Sequence, residues 1–219
     1  MTTIHYHTFG DLARYVVALR PPRLVVVDGA GGSGKSVFAA RLMTATEKYV
    51  KTVIVSVDDF YRPAGERTSE FTGLFNLGRL RSEVIEPYVS GKRITYRPYD
   101  WEIEAVSSKE RTAGHADVLI VEGVFALSTA LAWTGALGVW VDAPMDLRLA
   151  RGLERDGEAA RDVWVNDWIP REDAYRREER PEARAHLTVD TSAPLADDLF
   201  LCRDHGTMDL RALPLDDRT

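Results

Sequence analysis

A chain of 219 residues, 45% hydrophobic and 28% charged, has the size of one globular domain with a core of its own. Its single cysteine, Cys202, permits no internal disulfide, no apolar run approaches the roughly 20 residues of a membrane span, and no basic-then-apolar leader opens it. A net charge of −6 argues against a general nucleic-acid binder, so the expectation is a cytoplasmic protein with neither nucleic acid nor membrane as partner.

Residues 10–20 read as a short amphipathic helix stopped by Pro21-Pro22. Residues 23–28 (RLVVVD) form a continuous apolar run, as in a strand buried on both faces of a parallel sheet. A glycine-rich turn follows, and 35–48 has helical composition. Residues 52–57, 117–122 and 137–142 read as further buried strands, and 186–190 as a weaker fifth. Helical stretches fall near 79–90, 145–156 and 171–184. This alternation predicts an α/β three-layer sandwich with a mostly parallel five-stranded sheet, all in one domain spanning 1–219. Two segments break the rhythm. Residues 60–104 are rich in aromatics and long for a connection, as functional segments are. Residues 144–184 are dense in arginine and acids, either a solvated hairpin or a mobile, arginine-bearing lid. The tail 193–219 carries no readable pattern.

The turn after the first buried strand reads Gly29-Ala30-Gly31-Gly32-Ser33-Gly34-Lys35-Ser36, the pattern G-x-x-x-x-G-K-[ST] of a phosphate-binding loop. Glycines let successive amides turn inward as an anion nest, and the helix that follows points its N-terminal partial charge at the same place. Lys35 can reach the outer phosphates and Ser36 can ligate Mg²⁺, so a Mg-nucleotide, with ATP as the donor, is expected here, Val37 included. Strand 52–57 ends in Asp58-Asp59-Phe60-Tyr61, and strand ends of a parallel sheet face the ligand crevice. A carboxylate there can take the proton of an attacking hydroxyl, or simply cap a turn. The apolar strand 117–122 ends in Glu122, the position from which an acid reaches the metal. Arg148, Arg151 and Arg155 are spaced to share one helix face, where they can hold phosphate or pair with neighbouring acids, and Arg161 is a weaker candidate. The five histidines show no metal-ligand spacing.

The set GAGGSGKS, SVDDFYRP, YRPYDW and VLIVEG, in this order over roughly residues 22–192, resembles the uridine kinase-like nucleoside kinases, with phosphoribulokinase and pantothenate kinase more distant. The resemblance implies ATP-dependent transfer to the 5′-hydroxyl of a nucleoside such as uridine or cytidine, with a small-molecule acceptor as the partner. Residue by residue it implies Asp58 as general base, with Tyr61, Asn76 and Tyr99 around the acceptor. It implies Ser36 and Glu122 at Mg²⁺, and Lys35, Arg148 and Arg151 on the transferring phosphate with Arg155 beside the nucleotide. Two departures fall in the acceptor region. Asn76 stands where the family often has an acid on the ribose, and Trp101-Glu102-Ile103-Glu104 stands where it often has a histidine. They leave open a kinase of another hydroxylated metabolite (pantothenate, a ribosylated vitamin or a sugar phosphate) and, in a different class, an NTP-dependent switch.

Overall fold

Thr8 turns the chain from its first strand, β1 (Ile4–Thr8), into its first helix, α1 (Phe9–Ala18). Its hydroxyl accepts from the Asp11 amide, and the Asp11 carboxylate accepts from the Thr8 amide and hydroxyl. Such a reciprocal cap is worth about 1 kcal/mol. The computed structural model describes residues 4–132, 135–193 and 198–204. The chain continues through β2 (Arg23–Asp28), the glycine-rich turn, α2 (Lys35–Thr46) and β3 (Thr52–Ser56). A helical segment is built from α3 (Leu77–Leu80), a π turn (Arg81–Ile85) and α4 (Glu86–Val89). Four short strands follow: β4 (Ile94–Tyr96), β5 (Tyr99–Asp100), β6 (Ala105–Val106) and β7 (Arg111–Gly114). β4 pairs with β7, and β5 with β6, each antiparallel, so part of the long 60–104 segment forms a small lobe of hairpins.

β8 (Val118–Glu122) and β9 (Leu137–Asp142) return to the main sheet. The lid region is α5 (Met145–Asp156), α6 (Arg161–Val163), a π turn (Trp164–Trp168), α7 (Ile169–Glu179) and α8 (Pro181–Arg184). β10 (Leu187–Asp190) and β11 (Leu199–Asp204) close the fold. The sheet order is β1-β11-β10-β9-β2-β8-β3. The five strands from β10 to β3 are parallel, as expected. The expected strand count is corrected from five to seven, because β11 pairs antiparallel with both β10 and β1. β11 comes from the tail that carried no pattern, and residues 205–219 of that tail lie outside the described residues, His205 included. Phe200 of β11 explains the addition, since its ring packs 5.1 Å from Phe9 and 5.4 Å from Phe38 and joins the new edge to the helical layer.

Alternate residues of the central strands face opposite layers, and both layers are apolar. Val25, Val27, Ile120 and Val139 pack under α1 and α2 with Leu12, Val16, Phe38 and Leu42. Leu24, Val26, Leu119 and Val121 pack on the other side with Phe60, Leu80, Val84 and Tyr175. The parallel register sets Glu122 beside Val27 and Ser56, so the C-terminal ends of β2, β3 and β8 meet at one edge. The glycine-rich turn leaves from that edge.

Candidate active site

The loop Gly29–Ser36 is fixed from below by a buried acid that pattern reading passed over. The Asp28 carboxylate accepts from the Gly29 amide at 2.6 Å, the Leu127 amide at 2.8 Å and the Tyr175 hydroxyl at 2.7 Å. Burial pushes its carboxyl above the usual range, against the pull of those three bonds. Gly32 has φ +72°, and a Cβ there would overlap the Arg148 backbone, so only glycine fits this close approach. Ala30 and Ser33 are buried in the turn, whereas Val37 shows an exposed side chain on the first turn of α2. The Ser36 hydroxyl donates to Glu122 at 3.0 Å. A hydroxyl and a single carboxylate at the foot of a phosphate loop suit Mg²⁺, which binds few protein oxygens and takes the rest from phosphate and water.

Asp58 lies across a cavity from Lys35. The two adjacent acids occupy a 3₁₀ turn (Val57–Phe60) capped by the Ser56 hydroxyl, rather than an extended strand end. The turn separates their roles. Asp58 faces the cavity, while Asp59 accepts from the Tyr96 hydroxyl at 2.7 Å and from Arg111 at 2.5 Å. Desolvation by the surrounding walls raises the Asp58 carboxyl. Lys35 and Arg155 draw it down, and Glu122 and Asp59 push it up. The cavity measures about 290 Å³, near the lower end for small-molecule sites. Gly31, Lys35, Asp58 and Arg155 are among its lining, together with the rings of Tyr61, Phe75, Trp101, Phe125, Trp164 and Trp168.

Residues 24–163 match the model of the "Phosphoribulokinase / Uridine kinase family", well over half of the chain. The chain belongs to this family. Its members are ATP-dependent small-molecule kinases, the chemistry to which the turn and the facing carboxylate already point. Among family relatives, a uridine kinase of Saccharomyces cerevisiae is 31% identical over 68% of this chain and 32% of its own length. A uridine kinase of Ureaplasma parvum is 25% identical over 63% of this chain and 70% of its own. The chain thus spans about a third of the yeast relative. A solved structure described as a possible uridine kinase from Bacillus stearothermophilus shares the fold, with a TM-score of 0.65 at 19% identity over 82% of this chain and 96% of that one.

Of the expected family positions, several have side chains engaged outside the cavity lining. Asn76 does not line the cavity. It is the N-cap of α3, and its Oδ1 accepts from the Arg79 amide because a helix start needs an acceptor there. Tyr99 is buried behind the wall, with its ring 5.4 Å from Tyr61 and 4.9 Å from Trp101, so it props the aromatic surface and is not part of it. Arg148 is buried and paired with Glu172 at 3.1 Å. Arg151 ties the loop to the end of β10, donating to the Gly32 carbonyl and to the Thr191 carbonyl and hydroxyl. Neither lines the cavity; Arg155 is the member of the trio that does, held there by Asp156 at 2.7 Å. The reason is geometric: α5 runs past the loop, so its first turns brace it and only its last turn reaches the opening. Arg161 pairs with Glu158 on the surface.

Residues 171–184, in the stretch that reads as either a solvated hairpin or a lid, contribute to the cavity and the loop. Ile169, Glu172 and Tyr175, three apart, form the buried face of α7. Glu172 accepts from the Gly31 amide at 2.8 Å, and burial raises its carboxyl. Arg171 lines the cavity and donates to the Thr68 and Glu70 carbonyls, fastening the lid to the acceptor segment. Trp164 lies against Gly31 and Gly152, leaving no room for a Cβ at either. That three-residue spacing of an acid between two apolar residues was the available signal for Glu172, and the surrounding charge density obscured it.

Proposed function

We propose that this chain transfers the γ-phosphoryl group of ATP to a hydroxyl of a small aromatic acceptor, the 5′-hydroxyl of a nucleoside being the first choice, and that it works as one kinase unit. The observation that carries this reading is the shared cavity, whose lining brings Lys35 and Gly31 of the phosphate loop together with Asp58 and six aromatic rings. Phosphates on the loop would lie against the inward amides and Lys35. Ser36 and Glu122 would hold Mg²⁺, which supplies positive charge to phosphate oxygens. Asp58 takes the proton from the acceptor hydroxyl, a task suited to a carboxylate whose burial raises it above the usual carboxylate range. Arg155 offsets charge from the lid side. Trp164 and Trp168 add apolar lining that would disfavour water as a competing acceptor. A reduced, cytoplasmic setting, expected from the single cysteine, goes with this reading.

The position of Asn76 favours a second reading of the acceptor. With its Oδ1 committed to the Arg79 amide, no acid grips a ribose diol at that position, and the wall is aromatic rather than hydroxyl-binding. A non-ribosyl hydroxylated metabolite with a flat apolar body fits such a wall. A switch without an acceptor is disfavoured, because it has no use for a second small-molecule surface. Thermal-shift screening of nucleosides, vitamins and sugar phosphates with a non-hydrolysable ATP analogue tests the choice. Stabilisation and subsequent turnover confined to nucleosides would support the first reading. Hits confined to other alcohols would replace it by the second, and no acceptor at all would contradict both.

A further inference from the structure

The carboxylate of Glu172 stands where a phosphate is expected. The loop Gly29–Ser36 is an anion nest by its sequence, and the Gly31 amide donates to Glu172 Oε1 at 2.8 Å. The other oxygen, Oε2, accepts from Arg148 Nη1 at 3.1 Å. Lys35 also draws on this carboxylate electrostatically. An amide of the phosphate loop, a buried guanidinium and the loop lysine are the donor set of a phosphate site, and here a side chain from α7 engages it.

Arg148 supplies an independent observation. It is 4% exposed, and its Nε has no hydrogen-bond partner. A buried donor left unsatisfied is costly, so this guanidinium is incompletely served by Glu172 and has capacity for another anion. Trp164 closes the geometry, lying on Gly31 from the same side as Glu172. Two anions cannot share these donors without strong repulsion in so buried a place.

We propose that Glu172 is a built-in competitor for nucleotide phosphate: its carboxylate and an incoming phosphate exchange for the Gly31 amide and Arg148, so that nucleotide binding expels Glu172 and transfers Arg148 from carboxylate to phosphate. This rests on the reading of Gly29–Ser36 as the phosphate site but not on any acceptor. It explains why a lid arginine matching the family pattern lies buried against an acid: Glu172 holds that arginine in store. A lid that must surrender an internal ion pair before it binds phosphate is biased against weak or incomplete phosphate ligands.

Calorimetric titration of the full chain with inorganic tripolyphosphate and with ATP, without acceptor or turnover, tests this. Glu172→Gln keeps the size and an acceptor for the Gly31 amide but removes the charge. It should bind both probes about tenfold more tightly, the scale of one lost charge-assisted hydrogen bond. In an Arg148→Met background the same substitution should bring little gain, because the donor it frees is gone. Unchanged or weaker binding by Glu172→Gln would overturn the proposal, as would a full gain in the Arg148→Met background. A crystal structure of the wild-type chain with tripolyphosphate decides the point without any variant. The carboxylate should be withdrawn from the Gly31 amide with a phosphate oxygen in its place, and Glu172 remaining on Gly31 beside bound phosphate would overturn it. Absence of tripolyphosphate and ATP binding in wild type and variants alike would instead remove the phosphate-loop reading beneath it.

Discussion

Asp58 and Asp59 are chemically identical neighbours, and their surroundings alone distinguish them. Asp59 is engaged by Tyr96 and Arg111, while Asp58 faces Lys35 across the cavity. Asp58→Asn should lower kcat by about 10²–10⁴-fold, the usual share of a general base, with ATP affinity little changed. Asp59→Asn should act through its neighbour. Asp59 is one of the charges that raise the Asp58 carboxyl, so its removal should lower that carboxyl. Activity is lost as pH falls through the carboxyl's titration, so the acid limb of the kcat profile should move to lower pH in Asp59→Asn. A limb that moves up or stays in place would show that Asp58 is not the titrating base. Ser36→Ala and Glu122→Gln should each raise the Mg²⁺ concentration needed for half-maximal rate, because each removes one oxygen donor or its charge. Unchanged metal dependence in both would leave their hydrogen bond purely structural.

At the scale of elements, the two helices of the lid divide the work. α5 braces the phosphate loop through Arg148 and Arg151 and reaches the cavity with Arg155, while α7 brings Glu172 to the loop and Arg171 to the acceptor segment. The parallel strands were legible because runs such as Leu24-Val25-Val26-Val27 must be buried on both faces. The edge strands were not, since β1 alternates histidines and β11 offers only the short run from Leu199 to Cys202. Their place is decided by Phe200 packing on Phe9 and Phe38, a contact between chain ends that no local pattern announces. Phe200→Ala should therefore cost about 3–5 kcal/mol in urea unfolding, the range for a buried aromatic. A loss below about 1 kcal/mol would mean that β11 is not part of the cooperative fold. That Gly31, Lys35 and Asp58 share a cavity and that Ser36 meets Glu122 could be anticipated from motifs, because a phosphate site of the expected kind would fix their spacing. Asn76, Tyr99, Arg148 and Arg151 are engaged in ways no motif announces, because they answer to contacts in three dimensions: a helix cap, a supporting ring, a buried ion pair and a loop brace.

On the scale of the whole molecule, the sheet brings the ends of β2, β3 and β8 to one edge, and the hairpin lobe and the lid meet above it. The buried Asp28 links these parts, because it receives the loop through Gly29, the segment after β8 through Leu127 and the lid through Tyr175. Tyr175→Phe should leave that carboxylate one donor short and destabilise the fold by about 1–3 kcal/mol, measurable by urea unfolding. The proposed reaction carries a phosphoryl group from the loop to a hydroxyl held near Asp58, two places that share one cavity. The most direct test is ADP formation from ATP and Mg²⁺ with and without the best acceptor, in the wild-type chain and in Asp58→Asn. Acceptor-dependent ADP formation, with phosphate recovered on the acceptor and a drop of about 10²–10⁴-fold in Asp58→Asn, is the expected result. ADP formation that ignores the acceptor and is equal in both proteins would contradict the account.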